Sequence, residues 1–375
     1  MTRTPLAAAL AALALVLTAC TSGAEEDAGG AAAPASSSAP APSESPGSSG
    51  SPSQAASPSE SGTAGGSASG SASADETVAA EDLPRVERKV SLPALMRDGV
   101  RSGRLNRTQP LASTDTWRSW AVTYRVEDRT VSGELLVPRG RGPFPAVVLN
   151  HGYIEPSYYS LGQGLSREQE YLAARGFVVL HTDYGGYAGS DPVGKVGWES
   201  RLAWTRDAIG AVQEVKKMAV VDEDRTAFLG RSAGGGVTYN AIVADPDLVD
   251  AAVVFAPVSS DLTDNLARWT VPERPDFAAA LAQAVGGTPA QEPRAYRQLS
   301  PRTYFDRIEV PVLIHHGTSD DVCPIGWSRT TQRLLERAGV RSRLVEYAGE
   351  EHAFGPQFTD SMARTVRFLR ARLDG

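Results

Sequence analysis

Two cysteines, Cys20 and Cys323, and five histidines are all that 375 residues supply of the side chains that build disulfide frameworks and metal cages. No C-x-x-C pair, no H-E-x-x-H helix and no cluster of His and Cys at zinc spacing occurs, so a catalytic metal is not expected. Gly234-Gly235-Gly236 lacks the G-K-[S/T] ending of a phosphate loop, and Asp183–Gly189 does not read G-x-G-x-x-G. Nucleotide binding therefore has no support, and no cofactor is expected. No repeat of solenoid period appears. The longest apolar run, Leu6–Leu17, falls short of the roughly 20 residues that span a bilayer. Charge of one sign is also missing where it would matter. Of the 44 acidic residues nine lie between Cys20 and Pro84, a stretch with no basic residue. Setting Arg3 aside as well leaves 36 basic against 35 acidic residues elsewhere. A balanced domain with no basic run along its sequence gives no footprint for nucleic acid, and none is expected as a partner.

What the first 84 residues do contain is an address. Arg3, the Leu6–Leu17 run and the small residues before Cys20 read as a secretory signal over residues 1–19. Leu17-Thr18-Ala19-Cys20 resembles a bacterial lipobox, which implies lipidation of the Cys20 sulfur and anchoring at the outer side of the bacterial cell membrane. Residues 20–84, almost wholly Ala, Ser, Gly, Pro and acid, cannot bury enough apolar surface to offset chain entropy and are expected to be a disordered tether. Its r.m.s. reach would be about 40–50 Å. With Cys20 lipidated, Cys323 has no disulfide partner.

From residue 85 to 375 the pattern changes to that of one α/β domain. Trp117–Tyr124 and Thr130–Pro138 suggest an antiparallel pair of edge strands at the start of a sheet. Short apolar runs follow at Ala146–Leu149, Phe177–His181, Thr226–Leu229, Ala251–Phe255, Val312–His315 and Arg343–Glu346, mostly of the kind buried in parallel sheets. Helical stretches alternate with them at Ser166–Arg175, Glu199–Met218, Gly235–Ala244, Trp327–Ala338 and Ser361–Leu373. The alternation predicts an α/β fold, a mostly parallel sheet with helices on both faces. Residues 259–302 interrupt it with a helical piece near Phe277–Val285, and are expected to form a small lid.

Gly230-Arg231-Ser232-Ala233-Gly234 follows an apolar run and opens a helix, the strand–elbow–helix setting of a nucleophilic serine. A serine hydroxyl needs a general base, and His352, in the loop after the last strand, is best placed. The base needs a carboxylate to hold its tautomer; Asp320 and Asp321 both follow the Val312–His315 strand. HGTSDDVCP resembles the HGxxDxxVP acid loop of serine hydrolases, which aligns Asp320. The order Ser232, Asp320, His352 is that of α/β-hydrolases. An oxyanion would be met by the backbone N–H of Ala233 and, from the first sheet loop, of Tyr153. His151, His181, His315 and His316 read as structural, and Cys323 as packing.

Taken together, NHGY, HTDYGGYAGSD, VVDEDRTAFLGRSAGGG, the long segment from GGTP to HHGTSDDVCP, and GEEHAF resemble the catalytic domain of the prolyl oligopeptidase family across roughly residues 130–370. The resemblance implies a serine peptidase or acyl-peptide-releasing hydrolase acting on short substrates, with the triad and oxyanion roles on Ser232, Asp320, His352, Ala233 and Tyr153. Two departures stand out. The first loop reads HGYI where the family commonly has HGGP, and residues 21–129 are not expected to hold the β-propeller of its peptidases. The chain is similar, almost as well, to carboxylesterases and dienelactone hydrolase-like acyl esterases, so both small peptides and esters are candidate substrates. A lipoprotein that keeps the fold only to bind is the alternative of another class.

Overall fold

The computed structural model describes residues 83–374. The expected signal peptide, Cys20 and the tether up to residue 82 lie outside the described residues. A short N-terminal helix, α1 (Leu92–Asp98), is set by Ser91, whose Oγ accepts from the Ala94 amide at 3.2 Å, and by Pro93 in its first turn. Strands β1 (Ser102–Ser113), β2 (Trp117–Val126) and β3 (Arg129–Pro138) then form an antiparallel meander. The rest alternates: β4 (Phe144–Asn150), α2 (Ser166–Ala173), β5 (Val178–Thr182), α3 (Lys195–Glu199), α4 (Leu202–Lys216), β6 (Val221–Arg231), α5 (Ala233–Ala244) and β7 (Ala251–Phe255). After a helical insertion that includes α6 (Pro275–Val285) come β8 (Val312–Gly317), α7 (Ile325–Arg337), β9 (Ser342–Tyr347) and α8 (Phe358–Leu373).

The described strands make one nine-stranded sheet of order β1-β2-β3-β5-β4-β6-β7-β8-β9. Pairing is antiparallel through β1-β2-β3-β5 and parallel from β5 to β9. The α/β-hydrolase fold, expected from the alternation together with the order Ser232, Asp320, His352, is the observed one. The parallel strands β5, β7 and β8 are buried along their whole length, as strands covered on both faces must be. One apolar cluster joins α1, α4, α5 and Leu335 of α7 to one face of the sheet, and another joins Leu172 of α2 with Met362, Val366 and Leu369 of α8 on the other. Phe228, fully buried in the first of these, illustrates the scale: truncation to Ala would cost about 3–5 kcal/mol.

Two expectations need correction. β2 and β3 are not edge strands, because β1 pairs along β2 and takes the outer position. β1 is mostly exposed and carries no apolar alternation, so hydrophobic periodicity has nothing to detect there. The helix expected over Glu199–Met218 is two helices, broken at Arg201, whose backbone lies in the left-handed region with φ 59°.

Candidate active site

Parallel strands deliver their following loops to one edge, and four of them converge here: those after β4, β6, β8 and β9. Ser232 links β6 to α5 at φ 55° and ψ −121°, a conformation that costs a residue with a Cβ on the order of 1–3 kcal/mol. Its neighbours hold it there. The Ser232 N–H donates to the Phe255 carbonyl at 3.0 Å, and its own carbonyl accepts from Val258 and Gly235 at 3.1 and 3.0 Å. The turn is so tight that a Cβ on Gly234 would collide with the Asn150 carbonyl, and one on Gly230 with the Gly234 carbonyl. Those two glycines are demanded by packing between the β6 elbow and the β4 loop. Beneath the elbow Arg231 forms a buried ion pair with Glu168 of α2.

Asp320 is buried, with Oδ2 at 2.9 Å from His352 Nδ1 and Oδ1 accepting from the Val322 and Cys323 amides at 3.0 and 2.8 Å. Asp321 is exposed, and its carbonyl oxygen accepts from Arg268. Burial alone would raise the Asp320 pKa. Hydrogen bonds from His316 and His352, the charge of His352 and the Cys323 amide together outweigh it and hold the carboxyl well below the usual carboxylate range. His316, expected to be merely structural, supports the acid directly: its Nε2 stands 3.1 Å from Asp320 Oδ2 and 2.8 Å from the Cys323 carbonyl, while Nδ1 meets Ser328 Oγ at 2.7 Å. The doublet His315-His316 before the acid loop is the signal that could have pointed to it.

Ser232 and His352 line the same cavity, of about 190 Å³. Ser232 Oγ makes no hydrogen bond to the imidazole and stands 4.0 Å from Cys323 Sγ. Such a gap between nucleophile and base is common before substrate binds. Burial, then the charge of Asp320, pushes the Cys323 thiol up to about 12, so it stays a protonated packing group, as expected for it. Tyr153 and Ala233 also line the cavity, and neither backbone N–H is engaged by another described residue. His151, at the base of the Tyr153 loop, is buried with Nδ1 2.6 Å from the Gly152 carbonyl and Nε2 3.2 Å from the Asp183 carbonyl. Burial lowers its pKa to about 4, against the pull of those carbonyls. His181 and His315 are likewise buried and neutral, with pKa values lowered chiefly by burial.

The rest of the wall is Trp198, Glu199, Arg201 and Trp204 from the α3–α4 region, Val258 after β7, Trp269, Glu273 and Arg274 from the 259–302 insertion, and Val322. The insertion therefore forms a cap on the cavity. Glu199, Arg201 and Trp204 fall in what reads as plain helix, where no motif marks them. Among the described residues no group of three or more His, Cys, Asp and Glu could hold a metal ion.

The model of the prolyl oligopeptidase family matches residues 163–375. Dipeptidyl aminopeptidase BIII of Pseudoxanthomonas mexicana is 26% identical over 252 residues, which cover 63% of this chain and 35% of that protein. The chain thus spans about a third of the length of that relative. The uncharacterized peptidase YtmA of Bacillus subtilis (strain 168) is 25% identical over 249 residues, 66% of this chain and 91% of the relative. Among solved structures, an acetyl xylan esterase from Paenibacillus sp. R4 superposes with a TM-score of 0.57 at 20% identity, covering 79% of this chain and 99% of its own. At that identity the likeness is one of fold.

Proposed function

The chain belongs to the prolyl oligopeptidase family and is a serine hydrolase, and from that premise we propose that it cleaves short peptides through an acyl-enzyme on Ser232, with Asp320 and His352 completing the triad. With Nδ1 turned to Asp320, His352 carries its proton there and leaves Nε2 free as the base. Nε2 takes the Ser232 hydroxyl proton as Oγ bonds to the substrate carbonyl carbon, and returns it to the leaving nitrogen as the scissile bond breaks. Water then repeats the sequence, giving its proton to Nε2 and its oxygen to the acyl carbon, and Ser232 recovers its hydrogen. The N–H groups of Ala233 and Tyr153 would meet the oxyanion at both tetrahedral stages.

The observation that carries this reading is the Asp320–His352 pair at 2.9 Å, set on the wall of a cavity that also exposes Ser232 on its strained elbow. Labelling with a fluorophosphonate probe tests it: the wild type should react and Ser232→Ala should not. Persistent labelling of the variant would remove Ser232 from its role.

Esters of small acids are the second reading, favoured by the modest cavity and its three tryptophan walls. Comparing aminoacyl anilides with short acyl esters separates the two, since turnover of esters alone would reject the peptidase. We also propose that Cys20 is lipidated and keeps the enzyme on the outer side of the bacterial membrane. The support is the Leu17–Cys20 sequence, and incorporation of labelled palmitate should be lost in Cys20→Ser.

A further inference from the structure

The Ser232 cavity contains a cation that its surroundings leave unused. Arg274 stands between two carboxylates of the wall, 3.6 Å from Glu199 and 3.5 Å from Glu273. Glu199 also accepts from Thr270 Oγ1. Both acids thus share the Arg274 guanidinium. The Arg201 guanidinium makes no hydrogen bond and no ion pair within the described residues, although it lines the cavity beside Ser232. Burial pulls its pKa down, Glu199 acts on it in the opposite sense from longer range, and its charge reaches the Cys323 thiol that touches Ser232. Arg201 and the nucleophile thus line one cavity.

The backbone supports a purpose for this side chain. Arg201 is held at φ 59° by its N–H bonding to the Trp198 carbonyl at 3.0 Å and by its carbonyl accepting from both the amide and the hydroxyl of Thr205. Left-handed backbone at a residue with a Cβ persists only where its surroundings enforce it, and such residues cluster at functional sites. Here it breaks α3 from α4 and sets Arg201 at the cavity wall among Trp198, Trp204, Trp269 and Val258. Apolar walls strengthen a single charge contact, and a planar guanidinium with free N–H groups matches a carboxylate.

We propose that Arg201 anchors a carboxylate on the acyl part of the substrate, so that the enzyme prefers acyl groups bearing a negative charge. The inference rests on the acyl-enzyme reading above and narrows it. Two sources present that chemistry: an acidic residue on the acyl side of a peptide bond, and the half-ester of a dicarboxylic acid.

Two substrate pairs test it: the p-nitrophenyl half-ester of glutarate against p-nitrophenyl valerate, and the p-nitroanilides of N-acetyl-glutamate and N-acetyl-glutamine. In the wild type kcat/KM should favour the charged member of at least one pair by about tenfold or more, as a hydrogen-bonded charge pair in a partly desolvated site would. The pair that discriminates identifies the source. In Arg201→Met the ratio should fall to about one, with Arg201→Lys between, because an ammonium keeps the charge and loses the planar fork. A purely structural role would lower both members alike and leave the ratio where it was, which would overturn the proposal, as would a wild type without preference in either pair. Glutarate binding to Ser232→Ala by calorimetry gives a readout free of turnover. Binding that disappears in the Ser232→Ala, Arg201→Met double variant, while the wild type hydrolyses neither pair, would keep the anion site and reject the acyl-enzyme. Turnover with equal glutarate binding in both proteins would do the reverse.

Discussion

The two walls of the cavity are built by different means. The sheet-edge wall, carrying Ser232, Asp320, His352 and Tyr153, is held by backbone hydrogen bonds, glycine contacts and buried neutral histidines beneath the loops. The cap wall, residues 259–302, contains no histidine and is tied by guanidinium groups: Arg302 to Asp261, Arg274 to Glu199 and Glu273, and Arg268 to the carbonyls of Asp321 and Val322. The loops of the first wall hang from rigid strands, whereas the second wall is held in place by charges.

The largest effect should come from the rigid wall. Asp320→Asn should lower kcat by on the order of 10⁴, because an amide can hold the wrong imidazole tautomer and cannot stabilise the imidazolium. Asp321→Asn should stay within about threefold of wild type, since that residue is exposed and contributes only its carbonyl oxygen. Equal losses in steady-state assays of the two variants would overturn the assignment.

Acid should distinguish the walls next. His315 keeps a pKa lowered to about 3, chiefly by burial, with its ring nitrogens at 2.8 Å from Tyr347 Oη and 3.1 Å from Thr365 Oγ1; His151 keeps one near 4. Unfolding returns both toward about 6.5. The unfolded chain therefore binds more protons between those values, and stability rises with pH across that window. As pH falls from about 6.5, each histidine removes about 1.4 kcal/mol per pH unit, levelling off below its folded pKa. Denaturant midpoints at pH 7 and pH 5 should separate more in the wild type than in His315→Gln. Parallel curves would show that His315 does not carry the acid sensitivity.

The same division explains what could be read from the sequence. The elbow, the acid loop and the His352 loop are legible because catalysis demands fixed residue types in fixed order, and β7 is legible because a strand buried on both faces must be a continuous apolar run. β1 is illegible for the opposite reason: most of its residues face solvent and no apolar alternation marks it. The cap length and its helix near Phe277–Val285 show in the sequence, but its wall residues Trp269, Glu273 and Arg274 do not, because aromatic and charged side chains in a helical insertion read equally well as surface. Arg201 is hidden still better. Nothing in Ser200-Arg201-Leu202 signals left-handed backbone, since the break is imposed by the Trp198 carbonyl and Thr205 after the chain has folded.

The smallest effect belongs to the cap. Arg274 neutralises Glu199 and Glu273 and lies 5.1 Å above the Tyr153 ring, so it braces the cap against the loop after β4. It stands outside the proton path of Ser232 and His352. Arg274→Ala should therefore raise KM about three- to tenfold while kcat changes little, the pattern of lost binding common to ground and transition states. Because the pairs are partly solvated, salt should reproduce part of that rise in the wild type and add little in the variant, a contrast measurable between about 0.05 and 0.5 M sodium chloride. A fall in kcat with KM unchanged would instead tie the cap to the oxyanion loop and erase the division between the two walls.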